Sequence, residues 1–171
     1  LKNIINLPEG LTTIGASAFY FARSLQNVTL PSTLIHVGNY AFQNCVALES
    51  VNIPALVSAT GYTAQSMFSG CTSLVSVTFS ENLNWLPKTL FEDCTALTNI
   101  VFPAGLTTLN TADTSFDGSG VQCVDLGGIT SIPNNMFKNA LQLTTIDLSN
   151  VRTVGSYAFN ASSIREADLS N

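Results

Sequence analysis

The stretch Leu25-Gln26-Asn27-Val28-Thr29-Leu30-Pro31, continued by Leu34, Val37-Gly38, Ala41-Phe42 and Cys45, decides how the chain folds. Val28 and Leu30 alternate with polar residues, so they share one face of a short strand. Pro31 lacks an N–H and ends the pairing. Leu34 and Val37 carry the apolar pattern round a corner, and Gly38 permits a tight bend. Ala41-Phe42 and Cys45 then supply an aromatic followed by a small residue three positions later.

The same order of residue types recurs along the chain. The phenylalanine returns at Phe19, Phe42, Phe68, Phe91, Phe116, Phe137 and Phe159, at intervals of 23, 26, 23, 25, 21 and 22 residues. The small residue after it is Ala22, Cys45, Cys71, Cys94, Ser119, Ala140 or Ser162. The strand element repeats as Leu48-Val51-Ile53, Leu74-Val77-Phe79, Leu97-Ile100-Phe102, Val121-Val124-Leu126, Leu143-Ile146-Leu148 and Ile164-Ala167-Leu169. A degenerate first copy ends in Ile5-Asn6-Leu7. A strand of three to five residues is not stable alone. Stacked on its equivalents at about 4.8 Å, it joins a parallel sheet and shelters its apolar side against the coils before and after. The spacing predicts a solenoid of about seven coils of ~23 residues. The A-F-x-x-C segment is expected as a short helical or 3₁₀ turn on the opposite face, with the ring inside.

Composition agrees and excludes other classes. Charged residues are only 10% of the chain and hydrophobic ones 46%, the reverse of a disordered polymer. Thr, Ser and Asn must therefore cover the surface. With six Lys and Arg against eleven Asp and Glu, no basic stripe exists for a phosphate backbone, so no nucleic-acid partner is expected. No apolar run reaches the roughly 20 residues of a membrane span.

These residues resemble the BspA-like class of leucine-rich repeat proteins. The family pattern runs L-x-x-I-x-L-P, then L-x-x-I-G, then A-F-x-x-C, and the Leu25–Cys45 copy follows it almost position for position. The likeness covers the whole chain. It implies an α/β class, right-handed leucine-rich repeat solenoid over residues 1–171, one domain, with a parallel β-sheet on the concave face. It also implies an extracellular or cell-surface protein that binds host or matrix proteins or glycans. The family shares no catalytic site, so no catalytic, cofactor or metal residues carry over. The sequence departs from the pattern at Ala55 to Gln65 and at Asn110 to Ser115, where bulges are expected. The last residues, Leu169-Ser170-Asn171, bring no polar cap. Further coils beyond this segment, or end-to-end self-association, would each cover Ile164 and Leu169.

Candidate chemistry is sparse. Cys45, Cys71 and Cys94 hold equivalent places on successive coils and read as a buried ladder. A disulfide between neighbours is the alternative, with poor geometry because both side chains point inward. Cys123 falls out of phase and should face the concave surface as a free thiol. His36 stands alone and reads as a solvated surface residue. No nucleophile motif accompanies it. Asn27-Val28-Thr29 and Asn160-Ala161-Ser162 match the N-glycosylation acceptor pattern.

The residues between the buried strand positions face outward. One stripe is Asn27, Ser50, Ser76, Asn99, Cys123, Thr145 and Glu166. The next is Asn6, Thr29, Asn52, Thr78, Val101, Asp125, Asp147 and Asp168. From these, Asn27, Thr29, Ser50, Asn52, Ser76, Thr78, Asn99, Val101 and Thr145 form the expected binding surface. Asp125, Asp147 and Asp168 stand one coil apart. They read either as a weak calcium candidate or as a solvated acidic edge that deters sheet aggregation. The expected function is a non-enzymatic recognition or adhesion module. A spacer or stalk within a larger surface protein is the competing expectation.

Overall fold

A computed structural model of the chain describes residues 4–56, 65–109 and 115–168. Its strands, in chain order, are β1 (Ile4–Asn6), β2 (Thr13–Ile14), β3 (Asn27–Thr29), β4 (His36–Val37), β5 (Ser50–Ile53), β6 (Ser76–Phe79), β7 (Asn99–Val101), β8 (Cys123–Asp125), β9 (Ser131–Ile132), β10 (Thr145–Asp147), β11 (Thr153–Val154) and β12 (Glu166–Asp168). All pairings are parallel. The L-x-x-V-x-L copies supply β1, β3, β5 and β6 in one sheet, and β7 with β8 and β10 with β12 in two more. β6 lies against β7 and β8 against β10, so these strands share one side of the coil. The L-x-x-I corners supply a second side, where β2 pairs with β4 and β9 with β11.

The third side carries the phenylalanines, and their rings form one column. Successive centroids from Phe19 to Phe159 lie 4.9, 5.4, 6.1, 5.6, 5.4 and 5.5 Å apart, mostly with near-parallel planes. Phe42, Phe68, Phe91, Phe116 and Phe137 are completely buried. Offset stacking of this kind adds about 0.5–1.5 kcal/mol per pair beyond area burial. Seven rings bound six intervals. The described chain therefore makes about six turns, not the seven coils expected from counting phenylalanines.

The expected helical or 3₁₀ turns are also corrected. Among the described residues the segment is built of β-turns, without helix. Two residues four apart take the left-handed conformation in several coils. They are Tyr40 and Asn44 (φ 60° and 59°), Ser66 and Gly70, Thr89 and Asp93, Asn135 and Asn139. A left-handed residue every fourth position stops helical propagation. It also turns alternate peptide planes parallel to the solenoid axis. The Phe42 N–H donates to the Met67 carbonyl at 3.0 Å, Phe68 to Leu90 at 3.1 Å, Phe91 to Ser115 at 2.9 Å, Phe116 to Met136 at 3.0 Å and Phe137 to Ala158 at 2.8 Å. A flanking column runs from Phe21 and Gln43 through Asn44, Ser69, Gly70, Glu92, Asp93, Asp117, Gly118, Lys138 and Asn139 to Asn160. In both columns every N–H points to the following coil and every carbonyl to the preceding one. The turn side is thus a second hydrogen-bonded ladder, which satisfies backbone groups that water cannot reach.

The cysteines fit this ladder. Cys45, Cys71 and Cys94 are free, fully buried thiols. Each Sγ donates at 3.2 Å to a phenylalanine carbonyl one coil back: Phe19, Phe42 and Phe68 in turn. The shorter hydroxyls of Ser119 and Ser162, at the same place, reach only the carbonyls of Phe116 and Phe159 in their own coils. Hydrogen bonding to Cys45 and burial push the Cys71 thiol far up, and burial pushes Cys94 up. Both stay protonated, as inert space-fillers do.

The turn side also carries a polar row. Gln43 Nε2 donates to Ser69 Oγ at 3.5 Å, and Ser69 Oγ to Glu92 Oε2 at 3.4 Å. Farther along, Lys138 Nζ lies 3.3 Å from Asp117 Oδ2, and Asn139 Nδ2 donates to Asp117 Oδ1 at 2.8 Å. Burial, then the neighbouring Asp93, raises the Glu92 pKa above the ordinary carboxylate value. A raised carboxyl contributes stability that is complete below the unfolded-state pKa and lost as pH rises through the folded one. Glu92→Gln is therefore expected to melt higher than the parent at neutral pH, with the gap closing in acid. Thermal melts of both proteins across the weakly acidic range check this, and an unchanged gap would reject it.

Candidate binding face

The two expected stripes sit side by side on the strand face. Asn27, Ser50 and Ser76 are register partners, as are Asn99 with Cys123 and Thr145 with Glu166. In the second stripe Asn6 faces Thr29, Asn52 faces Thr78, Val101 faces Asp125 and Asp147 faces Asp168. The alternation that buries Val28, Val51, Ile100 and Ile146 turns the neighbours whose side chains are described outward. Thr29, Ser76, Thr78, Asn99, Val101 and Thr145 are exposed, whereas Asn27, Ser50 and Asn52 are half-buried. Cys123 is exposed, as its phase predicted. Val101 is 64% exposed, an apolar spot within an otherwise polar row.

Not every residue of the expected surface is available. Asn27 Oδ1 accepts from Ser50 Oγ at 2.9 Å. Asn52 is a clip between coils: its Oδ1 accepts from the Leu30 N–H at 3.2 Å and its Nδ2 donates to the Leu30 carbonyl at 3.1 Å. β3 stops at Thr29 while β5 continues to Ile53, so a side chain takes over the ladder where the backbone leaves it. Asn52→Ala leaves those two backbone groups without their protein partner. It is expected to cost about 1–2 kcal/mol, visible as a lower urea midpoint with unchanged slope.

The acidic row has a structural occupation too. Asp125 Oδ1 accepts from the Gly127 N–H at 2.9 Å, and Asp147 Oδ1 from the Ser149 N–H at 2.8 Å. Each closes the turn that leaves its strand. The side chain of Asp168 lies outside the described residues, and among those described no three His, Cys, Asp or Glu groups gather as a metal site. His36 is half-buried within β4 beside Thr13, so it is less solvated than its isolation in the sequence suggested. The expected bulge at Asn110 to Ser115 and the extra residues between Ala55 and Gln65 fall largely outside the described residues, as does Leu169 at the end.

Two hollows open on one edge, where the strands give way to the corners. The larger, about 500 Å³, spans successive coils beside Glu9, Ser32, Asn52, Thr78, Phe79 and Asn82. The smaller, about 300 Å³, lies beside Asp125, Gly127, Asp147 and Asn150. The stripes included Asn52 and Thr78 but missed Glu9, Ser32, Phe79 and Asn82. The available signal was the polar cluster that follows each strand, where the chain must turn outward.

No curated protein matches the chain. The pattern described as the BspA type leucine rich repeat region matches in six copies, over residues 1–119 and 65–171. Among solved structures, a leucine-rich repeat protein from Eubacterium ventriosum is similar at 25% identity and TM-score 0.84, covering 96% of this chain and 44% of that one. The leucine-rich repeat protein of T. pallidum superposes at 20% identity and TM-score 0.68, covering 90% of this chain and 73% of that one. The pneumococcal vaccine antigen PcpA does so at 16% identity and TM-score 0.64, covering 99% and 51%. The chain thus spans less than half the length of the Eubacterium protein. Among the described residues no helix is long and apolar enough to cross a membrane.

Proposed function

We propose, from the premise that this chain belongs to the BspA type leucine rich repeat family, that it is a non-enzymatic recognition module working outside the cell. Its protein ligands bind the strand face. The observation that carries this reading is the set of exposed, uncharged side chains Thr29, Ser76, Thr78, Asn99 and Thr145 on the strand face, with Val101 set among them. Such a surface offers many neutral hydrogen bonds and one apolar foothold, and it lacks the basic groups that would draw polyanions. The rigid ladders beneath it hold those groups in place before a ligand arrives, which lowers the ordering cost of binding. Family membership supports placement at the cell surface, with host or matrix proteins and glycans as ligand classes.

The test is an array of matrix proteins probed with the parent and with a Ser76→Lys, Asn99→Lys double variant. The expected result is at least roughly tenfold weaker capture by the variant. Asn160→Lys, on the exposed turn side, should bind as the parent does. Equal binding by all three proteins would reject the strand face as the ligand surface and favour a spacer or stalk.

A further inference from the structure

We infer that the larger edge groove is a saccharide site that takes a neutral glycan chain. The inference rests on the reading of the chain as a recognition module and gives it a second, saccharide surface beside the one for proteins. The groove runs along the solenoid axis, across the ends of β3, β5 and β6. In that direction the strands present side chains, because parallel pairing directs their N–H and carbonyl groups at neighbouring coils. A peptide strand laid in the groove would find no free ladder to join. Its occupant must be read by side chains alone.

Those side chains are hydroxyls and a carboxamide. Thr29, Thr78 and Asn82 line the groove, and among the described residues their side chains have no protein partner. No Lys or Arg lines it. Its single carboxylate, Glu9, accepts from the Ser32 N–H at 3.4 Å and the Ser32 hydroxyl at 3.1 Å, so it is held in place. The apolar part of its lining is Leu30, Ile53, Pro54, Ala55 and Phe79. Elsewhere the strand position of Phe79 is buried, as in Leu30, Ile53, Phe102 and Leu126. Phe79 is only half-buried, with its ring fixed by stacking on Phe102 at 5.5 Å and edge contact with Phe91 at 6.4 Å. An apolar wall beside unengaged hydroxyl and carboxamide groups suits a sugar ring, which offers a C–H face and a hydroxyl rim. The groove crosses the strand ends of three successive coils, which suits a chain of sugars over a single one.

The experiment titrates neutral gluco-, manno- and galacto-oligosaccharides into the full chain by calorimetry, with sialylated and sulfated oligosaccharides as charged comparisons. It is repeated on a groove variant, Thr78→Ala with Asn82→Ala, and on the strand-face variant Ser76→Lys with Asn99→Lys. At least one neutral series is expected to bind, with affinity falling roughly tenfold in the groove variant and unchanged in the strand-face variant. Thermal melts of both variants should match the parent, since the replaced groups are exposed. If only protein ligands bind, and the strand-face variant loses them, the recognition reading stands and the saccharide groove is overturned. Preference for the charged oligosaccharides, or no oligosaccharide binding at all, overturns it as well.

Discussion

Replacing Phe68 with alanine is expected to destabilise the protein by about 4 kcal/mol, enough to lower the melting temperature by roughly 10 °C. Phe68 is completely buried in the ring column, between Phe42 at 5.4 Å and Phe91 at 6.1 Å. The loss combines a cavity with two broken ring contacts. In a linear array, stability is close to a sum of coil terms and nearest-neighbour interfaces. One substitution here weakens two interfaces. Phe159 stacks on Phe137 alone, so Phe159→Ala should cost about half as much. Equal losses at the two positions would show that the rings do not transmit stability along the axis. Urea titrations with fluorescence and circular dichroism in parallel measure both values.

Gly128→Ala should do comparable damage by the opposite route, about 3 kcal/mol of overpacking. A Cβ on Gly128 would collide with the Ala104 carbonyl oxygen and meet Leu106 O at 3.3 Å. These are backbone atoms of the preceding coil, so no side chain can swing aside. Gly120 is in the same position against the Thr95 carbonyl. Gly15 has open space around its Cβ direction, and Gly15→Ala should change stability by less than about 0.5 kcal/mol. Matching melts for Gly128→Ala and Gly15→Ala would mean that the coils slide apart freely.

Much of this architecture was legible in the residue pattern, because burial repeats at the same phase in every coil. Phe42, Cys45, Leu48, Val51 and Ile53 recur as types, and the structure places each inside. The register of Ser50 with Ser76 and of Asn52 with Thr78 followed from the same alignment. The turn side was misjudged because A-F-x-x-C has a helix-like spacing of apolar and small residues. The contrary signal stood two residues after the phenylalanine, at Asn44, Gly70, Asp93, Gly118 and Asn139. Asn, Asp and Gly are the residues that tolerate the left-handed conformation. Phe21 and Ala161 take that conformation without such a preference, which blurs the signal at both ends of the array. The site was read less well than the fold. The strand alternation is legible in the residues, yet the Asn52 clip depends on β3 ending earlier than β5. The groove beside Phe79 depends on one partly uncovered ring. Both are properties of neighbouring coils, which a repeat pattern averages away.

The one-way peptide columns give the turn side an electrical direction, opposed on the strand and corner sides, where the N–H groups of Glu49, Val75, Gln122 and Gly155 donate to the preceding coil. Along the turn side the aligned amide dipoles add, as they do along a helix, with their negative ends toward the first coils and their positive ends toward the last. A coil can therefore be spliced into or out of the array as a whole unit, provided that it keeps the same heading. A reversed coil would set carbonyl against carbonyl at one seam and amide against amide at the other.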